Sequence, residues 1–303
     1  MKNILIRYGR SPKDVSTEAF RFTVIVLLLL VLVRFFPIFA LSMVLIPAIY
    51  TALSYRTGLL FPLLSLLFVS LFLIFLGVDL ANLNALTTGA IMGIAVGEIN
   101  YRKNDMITAI TVGMLILVAN HVIILYLYKL ANGSDIVPMI VEEMQKILAQ
   151  NNMANTVNEY EMKAMLQTML PGAMIAQNFV SSVLNYFIAG KIANVNTPEN
   201  KPFKSFWEFT IPGSASVACL VTLITVLLFS LAGYAYQDLT TNLMVIFITI
   251  LLIQGLSVVD FMFLREKALL IRMTVMLFLM FFTPVLLLLG VLDAIANIRR
   301  LPR

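Results

Sequence analysis

Nine apolar stretches, at about 20–35, 37–55, 58–77, 82–100, 105–129, 171–193, 210–236, 241–263 and 268–292, occupy most of this 303-residue chain. An α-helix rises about 1.5 Å per residue, so roughly 20 mostly apolar residues cross a ~30 Å hydrocarbon layer. A membrane β-barrel would show short segments of alternating polarity instead, and the sequence has none. The pattern therefore predicts an all-α fold, a polytopic membrane helical bundle of eight or nine spans. Composition agrees: 60% of the residues are apolar and 12% are charged. A soluble domain carries about a quarter charged residues, and this chain could not cover a water-facing surface with so few. A cytosolic enzyme, a disordered chain and a secreted disulfide scaffold are excluded. The single cysteine, Cys219, has no partner for an internal disulfide, and the single histidine, His121, cannot build a histidine-based metal site.

Charge orients the bundle. Lys2, Arg7, Arg10, Lys13 and Arg21 surround the start of the first stretch in the manner of a secretory signal. No small-x-small cleavage site follows, so an uncleaved first span with a cytoplasmic N-terminus is expected in the plasma membrane. Inner segments then hold 14 basic residues, against four on the outer side (Arg34, Lys129, Lys146 and Lys163), as the positive-inside rule requires. Nine full crossings would place Arg299, Arg300 and Arg303 outside. Thr283-Pro284 is a candidate break that would return the tail to the inner side, giving an even number of crossings.

Two segments are too polar to span. Residues 131–170 face outward in this topology. Val137, Ile140, Val141, Met144, Ile147 and Leu148 recur on one helical face, away from Glu142, Glu143 and Lys146. This predicts an interfacial or capping amphipathic helix. Thr156 and Glu159 match a capping box opening a second helix that runs to Pro171-Gly172. Residues 194–209 form a basic, aromatic cytoplasmic linker. The expected organisation is a six-span domain over 1–193, that linker, and a C-terminal segment of two to three spans over 210–303.

Small residues at Ala85, Gly89, Gly93 and Gly97 repeat every four positions, which lines them along one helix stripe. Such a stripe lets a neighbouring helix approach at backbone contact, either as fixed packing or as a smooth sliding face. Polar residues inside spans are costly and therefore informative. Asn120 and His121 lie about two turns from the outer end of the fifth stretch, and Gln177 and Asn178 about two turns inside Pro171 on the sixth. Their depths match, so they are the candidate binding cluster for a small polar or amphipathic solute; the alternative is that they only tie helices together. Glu98 and Arg102 sit four apart, as a structural ion pair would. Asp260 is expected to pair with Arg265 or Lys267, and no deeper carboxylate suits proton coupling.

Enzyme readings fare poorly. Gly213-Ser214-Ala215-Ser216 resembles a membrane serine protease signature, but these serines enter from the inner side and His121 lies at the outer end. No nucleotide-binding, haem or metal motif occurs, so no catalytic residues, no cofactor and no metal are expected. The +5 net charge reflects basic loops attracted to anionic headgroups, not nucleic-acid binding.

Specific residues carry a resemblance. Pro202-Phe203-Lys204, Trp207, Ile211-Pro212, Gln254-Gly255-Leu256 and Gly290-Val291-Leu292-Asp293 before a basic tail resemble the YybS-like family. These are bacterial multi-spanning membrane proteins of unknown function. That family is itself distantly similar to the substrate-binding S components of energy-coupling-factor vitamin transporters, a similarity that would concern the six-span part. The resemblance implies an outer pocket on the fourth to sixth spans, where Asn120, His121 and Gln177 fall, and energising partner subunits. One departure stands out: S components commonly show small residues spaced by four on the first span, whereas 23–33 here is rich in Leu and Val. Two functions follow as expectations: a transporter-like solute-binding protein, or a non-transport scaffold or assembly factor for other membrane proteins.

Overall fold

The computed structural model describes residues 12–35, 45–150, 158–193, 203–212, 221–222, 224–225, 228 and 237–301. Thr156 of the expected capping box, the 213–216 serine run, Cys219 and most of the seventh stretch lie outside the described residues. Within them every regular element is helical. These are α1 (Pro12–Phe35), α2 (Leu45–Thr57), α3 (Leu60–Phe75), α4 (Leu80–Lys103), α5 (Met106–Asn132), α6 (Val137–Gln150), α7 (Glu159–Ala193), α8 (Gln237–Val259), α9 (Leu269–Leu279) and α10 (Thr283–Ala296). Four helical runs among them are long and apolar enough to cross a membrane: Leu80–Lys103, Met106–Asn132, Asp238–Leu264 and Thr274–Ala296.

The chain divides into two compact units, residues 1–117 with 178–206, and residues 118–177 with 207–303. The change of unit at 206–207 lies within the expected 194–209 linker, while residues 118–177 join the C-terminal residues instead of the first six stretches.

In the first unit α2 is the hub. It has only 13 residues, and ten of them are buried, Thr51, Ser54 and Thr57 among them. A helix buried on every side needs no amphipathic stripe. Its neighbours do show one: α1 buries Val15, Ala19, Thr23, Val26 and Leu30 at three- and four-residue intervals, and α3 buries Leu66, Val69 and Leu73. The other face of α3, with Leu64, Leu67, Phe68, Leu71 and Phe75, is exposed, as a lipid-facing side would be. Turn chemistry separates the helices. Gly77 at φ +68° ends the α3 connection, where a side chain would be strained. Asp79 then caps α4, its carboxylate accepting from the Asn82 amide at 2.8 Å. Asn104, in the left-handed conformation, closes α4, and the Asp105 carboxylate accepts from the Ile107 and Thr108 amides to open α5.

In the second unit α6 is the amphipathic helix that the sequence predicts. It packs Val137 and Val141 onto Met162 of α7, with Leu148, Leu166 and Leu170 around them. Lys146 pairs with Glu142 at 3.0 Å and Glu143 at 2.9 Å on the exposed face. The expected helix end at Pro171-Gly172 is not there: α7 is one 35-residue helix with Pro171 inside it.

Candidate functional site

The glycine stripe on α4 meets α2. A Cβ on Gly93 would overlap the Pro47 carbonyl oxygen, and one on Gly97 would overlap the Thr51 carbonyl oxygen. A Cβ on Gly89 would stand 3.0 Å from the Pro47 ring. Ala85, at the N-terminal end of the same stripe, is exposed. Neutral polar side chains join α2 to α4 and, beside that seam, α2 and α5 to α7. Thr51 and Asn185 exchange hydrogen bonds of 3.1 and 3.0 Å, Ser54 donates to the Ile94 carbonyl at 3.0 Å, and Ser182 donates to the Ile110 carbonyl at 2.7 Å.

The end of this unit that carries Arg102 and Lys103 is closed by aromatic packing. Phe203 is buried against Tyr55 and Tyr186, with ring centroids 4.7 and 5.1 Å away. Gly190 makes room for it, since a Cβ there would lie 2.8 Å from the Phe203 Cβ. Tyr186 donates to Asn100 Oδ1 at 2.9 Å and accepts from the Lys204 amide at 3.3 Å. Burial works to raise the nearby Asp105 carboxyl. Hydrogen bonds from the Thr108 side chain and from the Thr108 and Ile107 amides, with the charge of Lys204, outweigh burial and hold it below its ordinary value. Arg56, also at this end, pairs with Glu18 and donates to the Ile192 and Ala193 carbonyls, satisfying the C-terminal end of α7.

The second unit contains a repaired helix break. Pro171 has no N–H and crowds the carbonyl four residues earlier. The Asn242 side chain of α8 serves the next pair along, Gly172 and Thr168. Its Oδ1 accepts from the Gly172 N–H, and its Nδ2 donates to the Thr168 carbonyl at 2.6 Å. Those two groups are the donor and acceptor that an uninterrupted α-helical ladder would join. Thr168 also donates to Asp238 at 3.1 Å.

The same unit holds two buried ion pairs, one that sequence reasoning missed and one whose acid it named with another partner. Asp293 and Arg299 have fully buried side chains and meet at 2.7 Å. The Arg299 guanidinium also donates to the Trp207 carbonyl (2.6 Å), the Phe209 carbonyl (2.7 Å) and Ser257 Oγ (2.6 Å). Gln254 donates to Asp293 at 2.9 Å and accepts from the Ile211 amide at 3.2 Å. Beside this node α8 and α10 cross at backbone contact: a Cβ on Gly255 would overlap the Leu286 carbonyl, and one on Gly290 the Leu251 carbonyl. The second pair joins Asp260, also fully buried, to Arg272 rather than to Arg265 or Lys267. It sits at a π-helical turn, Asp260–Leu264. Both carboxylates are buried within the protein near the C-terminal ends of α8 and α10. Glu98 and Arg102 do pair, at 2.6 Å.

The solute cluster is distributed as follows. Asn120 and His121 are half-buried, Gln177 is exposed and Asn178 is buried. Neighbours on a helix point about 100° apart, so Gln177 and Asn178 face different surroundings. A cavity of about 340 Å³ lies between α3 and α4, and none of these residues lines it. Leu59, Leu63, Ile91, Ile94, Ala95 and Ile99 line it with Glu98, so its wall is almost wholly apolar.

Long apolar helices, an unpaired lipid-like face and buried polar ties define a polytopic helical membrane protein. The chain belongs to the family described as predicted membrane protein (DUF2232), whose model matches residues 24–294. The YybS-like resemblance is consistent with that membership. Comparison with curated proteins and with solved structures finds no match.

Proposed function

We propose that this protein is a transporter-like solute-binding protein of the plasma membrane, with no catalytic step of its own and with energy supplied by partner subunits. The cytoplasmic N-terminus, an S-component-like arrangement of the first six spans and a total of eight or nine spans belong to this reading. The observation that carries it is helix discontinuity in the second unit. The α7 ladder is served by a foreign amide at Pro171–Gly172, α8 ends in a π-turn, and a 3₁₀ turn at Met280–Phe282 separates α9 from α10. Backbone irregularity within an apolar bundle is costly and is found where it lines a solute path or lets helices move. Asn120, His121 and Gln177 lie on the two helices that flank the outward α6 segment, and the break at Pro171 is between one and two turns from Gln177.

The test is thermal unfolding of the purified full-length protein against a panel of water-soluble vitamins and small polar metabolites. At least one compound is expected to raise Tm by several degrees at saturating concentration, as binding to the folded state alone requires. The shift should be lost in the combined Asn120→Ala, His121→Ala, Gln177→Ala variant. No stabilising compound would remove the reading, and a shift that survives the triple variant would remove the site.

A scaffold role is favoured by a different observation. The α6–α7 hairpin exposes Met139, Met144, Ile147, Tyr160 and Met165 beside Glu142, Glu143 and Glu161. Crosslinking from these positions to another membrane protein, with no ligand found, would support it.

A further inference from the structure

The last apolar run, Thr274–Ala296, is long enough by itself to cross the bilayer, at about 1.5 Å per residue over 23 residues. A crossing there would carry the basic tail to the side opposite the 203–211 segment. The hydrogen bonds forbid that separation. Arg299 lies three residues beyond the end of α10, and its guanidinium is bonded to the main-chain carbonyls of Trp207 and Phe209. An arginine side chain reaches only about two helical turns, far less than the ~30 Å hydrocarbon layer. We infer that the C-terminal tail lies on the same side of the membrane as residues 203–211, and that 269–296 enters and leaves the bilayer on that side.

Local structure agrees. The run is not straight: α9 has 11 residues and α10 has 14, about 16 and 21 Å, and neither alone reaches across. Between them lie the 3₁₀ turn and Phe282, whose backbone (φ −103°, ψ 43°) departs from helix. Pro284 opens α10 in its first turn, where a missing N–H costs nothing. Beyond α10 the chain folds back on itself. Asn297 adopts the left-handed conformation, its Nδ2 donates to the Leu301 carbonyl at 2.9 Å, and its Oδ1 accepts from the Leu301 amide at 3.1 Å. The first residues after α10 are therefore a built turn seated on Trp207 and Phe209.

Charge identifies the side. Lys204 of the same segment acts electrostatically on Asp105, in the turn that follows Arg102 and Lys103. These residues belong to the basic side that the positive-inside rule assigns to the cytoplasm. Returning the tail adds Arg299, Arg300 and Arg303, so that side holds 17 basic residues against four. With a cytoplasmic N-terminus the number of crossings is then even. The inference concerns sidedness alone and stands whether or not the protein transports a solute.

The variants Arg303→Cys, Lys204→Cys and Lys146→Cys, each in a Cys219→Ser background, test it with a membrane-impermeant maleimide on intact spheroplasts and on inside-out vesicles. Arg303→Cys is expected to label as Lys204→Cys does, from inside-out vesicles only, while Lys146→Cys labels from spheroplasts. A fluorescent-protein fusion at the C-terminus, which leaves every residue unchanged, should be bright, and an alkaline phosphatase fusion should be inactive. Labelling of 303 together with 146, or an active phosphatase fusion, overturns the inference.

Discussion

Both units use the same device and finish it differently. At α2–α4 and at α8–α10, glycines bring two helix backbones into contact, with no space for a Cβ at Gly93, Gly97, Gly255 or Gly290. The first seam is fastened by a neutral bond from Ser54 to the Ile94 carbonyl, and beside it Thr51 bonds Asn185 of α7. The second is fastened by a fully buried arginine and aspartate, whose charges are also bonded to Gln254, Ser257 and two carbonyls. Close packing alone holds helices together in lipid. A buried charge adds something that packing does not: it is tolerable only in one geometry, because any other leaves it unpaired. The neutral seam can therefore survive a missing tie, whereas the charged seam fixes the position of the tail and of segment 207–211.

The largest expected effect is at that charge. Arg299→Ala strands Asp293 in an apolar bundle and should destabilise the protein by about 3–5 kcal/mol, read as a lowered Tm of the purified protein. Next come the seams themselves. Gly290→Leu and Gly93→Leu each force a side chain into a neighbour's carbonyl, and each should cost at least the ~1–3 kcal/mol of ordinary overpacking. Equal losses would show that the seams differ only in their fasteners. Asn242→Leu removes the amide at the Pro171 break and should cost about 1–3 kcal/mol, with faster amide exchange at Gly172. Unchanged exchange there would mean that the helix repairs itself. By contrast Asn185→Leu beside the neutral seam should cost only about 0.5–1.5 kcal/mol, because the single proton of the Thr51 hydroxyl keeps an acceptor in the Pro47 carbonyl.

The smallest effect is at the cap of α5. Asp105→Ala should cost about 1 kcal/mol of cap energy, while Asp105→Asn keeps most of it. Because the folded carboxyl is held below its ordinary value, its stabilising share is complete above the unfolded pKa of about 3.9 and is lost as pH falls through the lowered folded value. Asp105→Asn should flatten the acid limb of a stability-against-pH curve. An unchanged limb would show that other carboxylates set it.

Features that depend on spacing along one helix were legible in the sequence. The stripe of Gly89, Gly93 and Gly97, the amphipathic α6 and the Glu98–Arg102 pair all follow from 3.6-residue periodicity. Features that depend on a partner from another helix were not. Asp293 and Arg299 are separated by six residues and a helix end, and nothing local says that two distant carbonyls complete the arginine's bonds. Pro171 reads as a helix terminator, and only the arrival of Asn242 lets α7 continue through it. The motif residues Gln254-Gly255 and Gly290 with Asp293, which carry the family resemblance, are visible as a string of letters. Their meaning, a glycine crossing joined to a buried ion pair, appears only in three dimensions. The Asn120, His121, Gln177 cluster was chosen by depth, and depth does not fix which way adjacent residues such as Gln177 and Asn178 point.

The contrast between the two seams is tested most directly by a double-mutant cycle at Asp293 and Arg299, measured by thermal unfolding of the purified full-length protein. Arg299→Met and Asp293→Asn should each be strongly destabilising alone, and the double variant should recover much of the loss, because neither charge is then left unpaired. Single variants no worse than Asn185→Leu, or a double variant equal to the sum of the two, would contradict a charge-locked second unit.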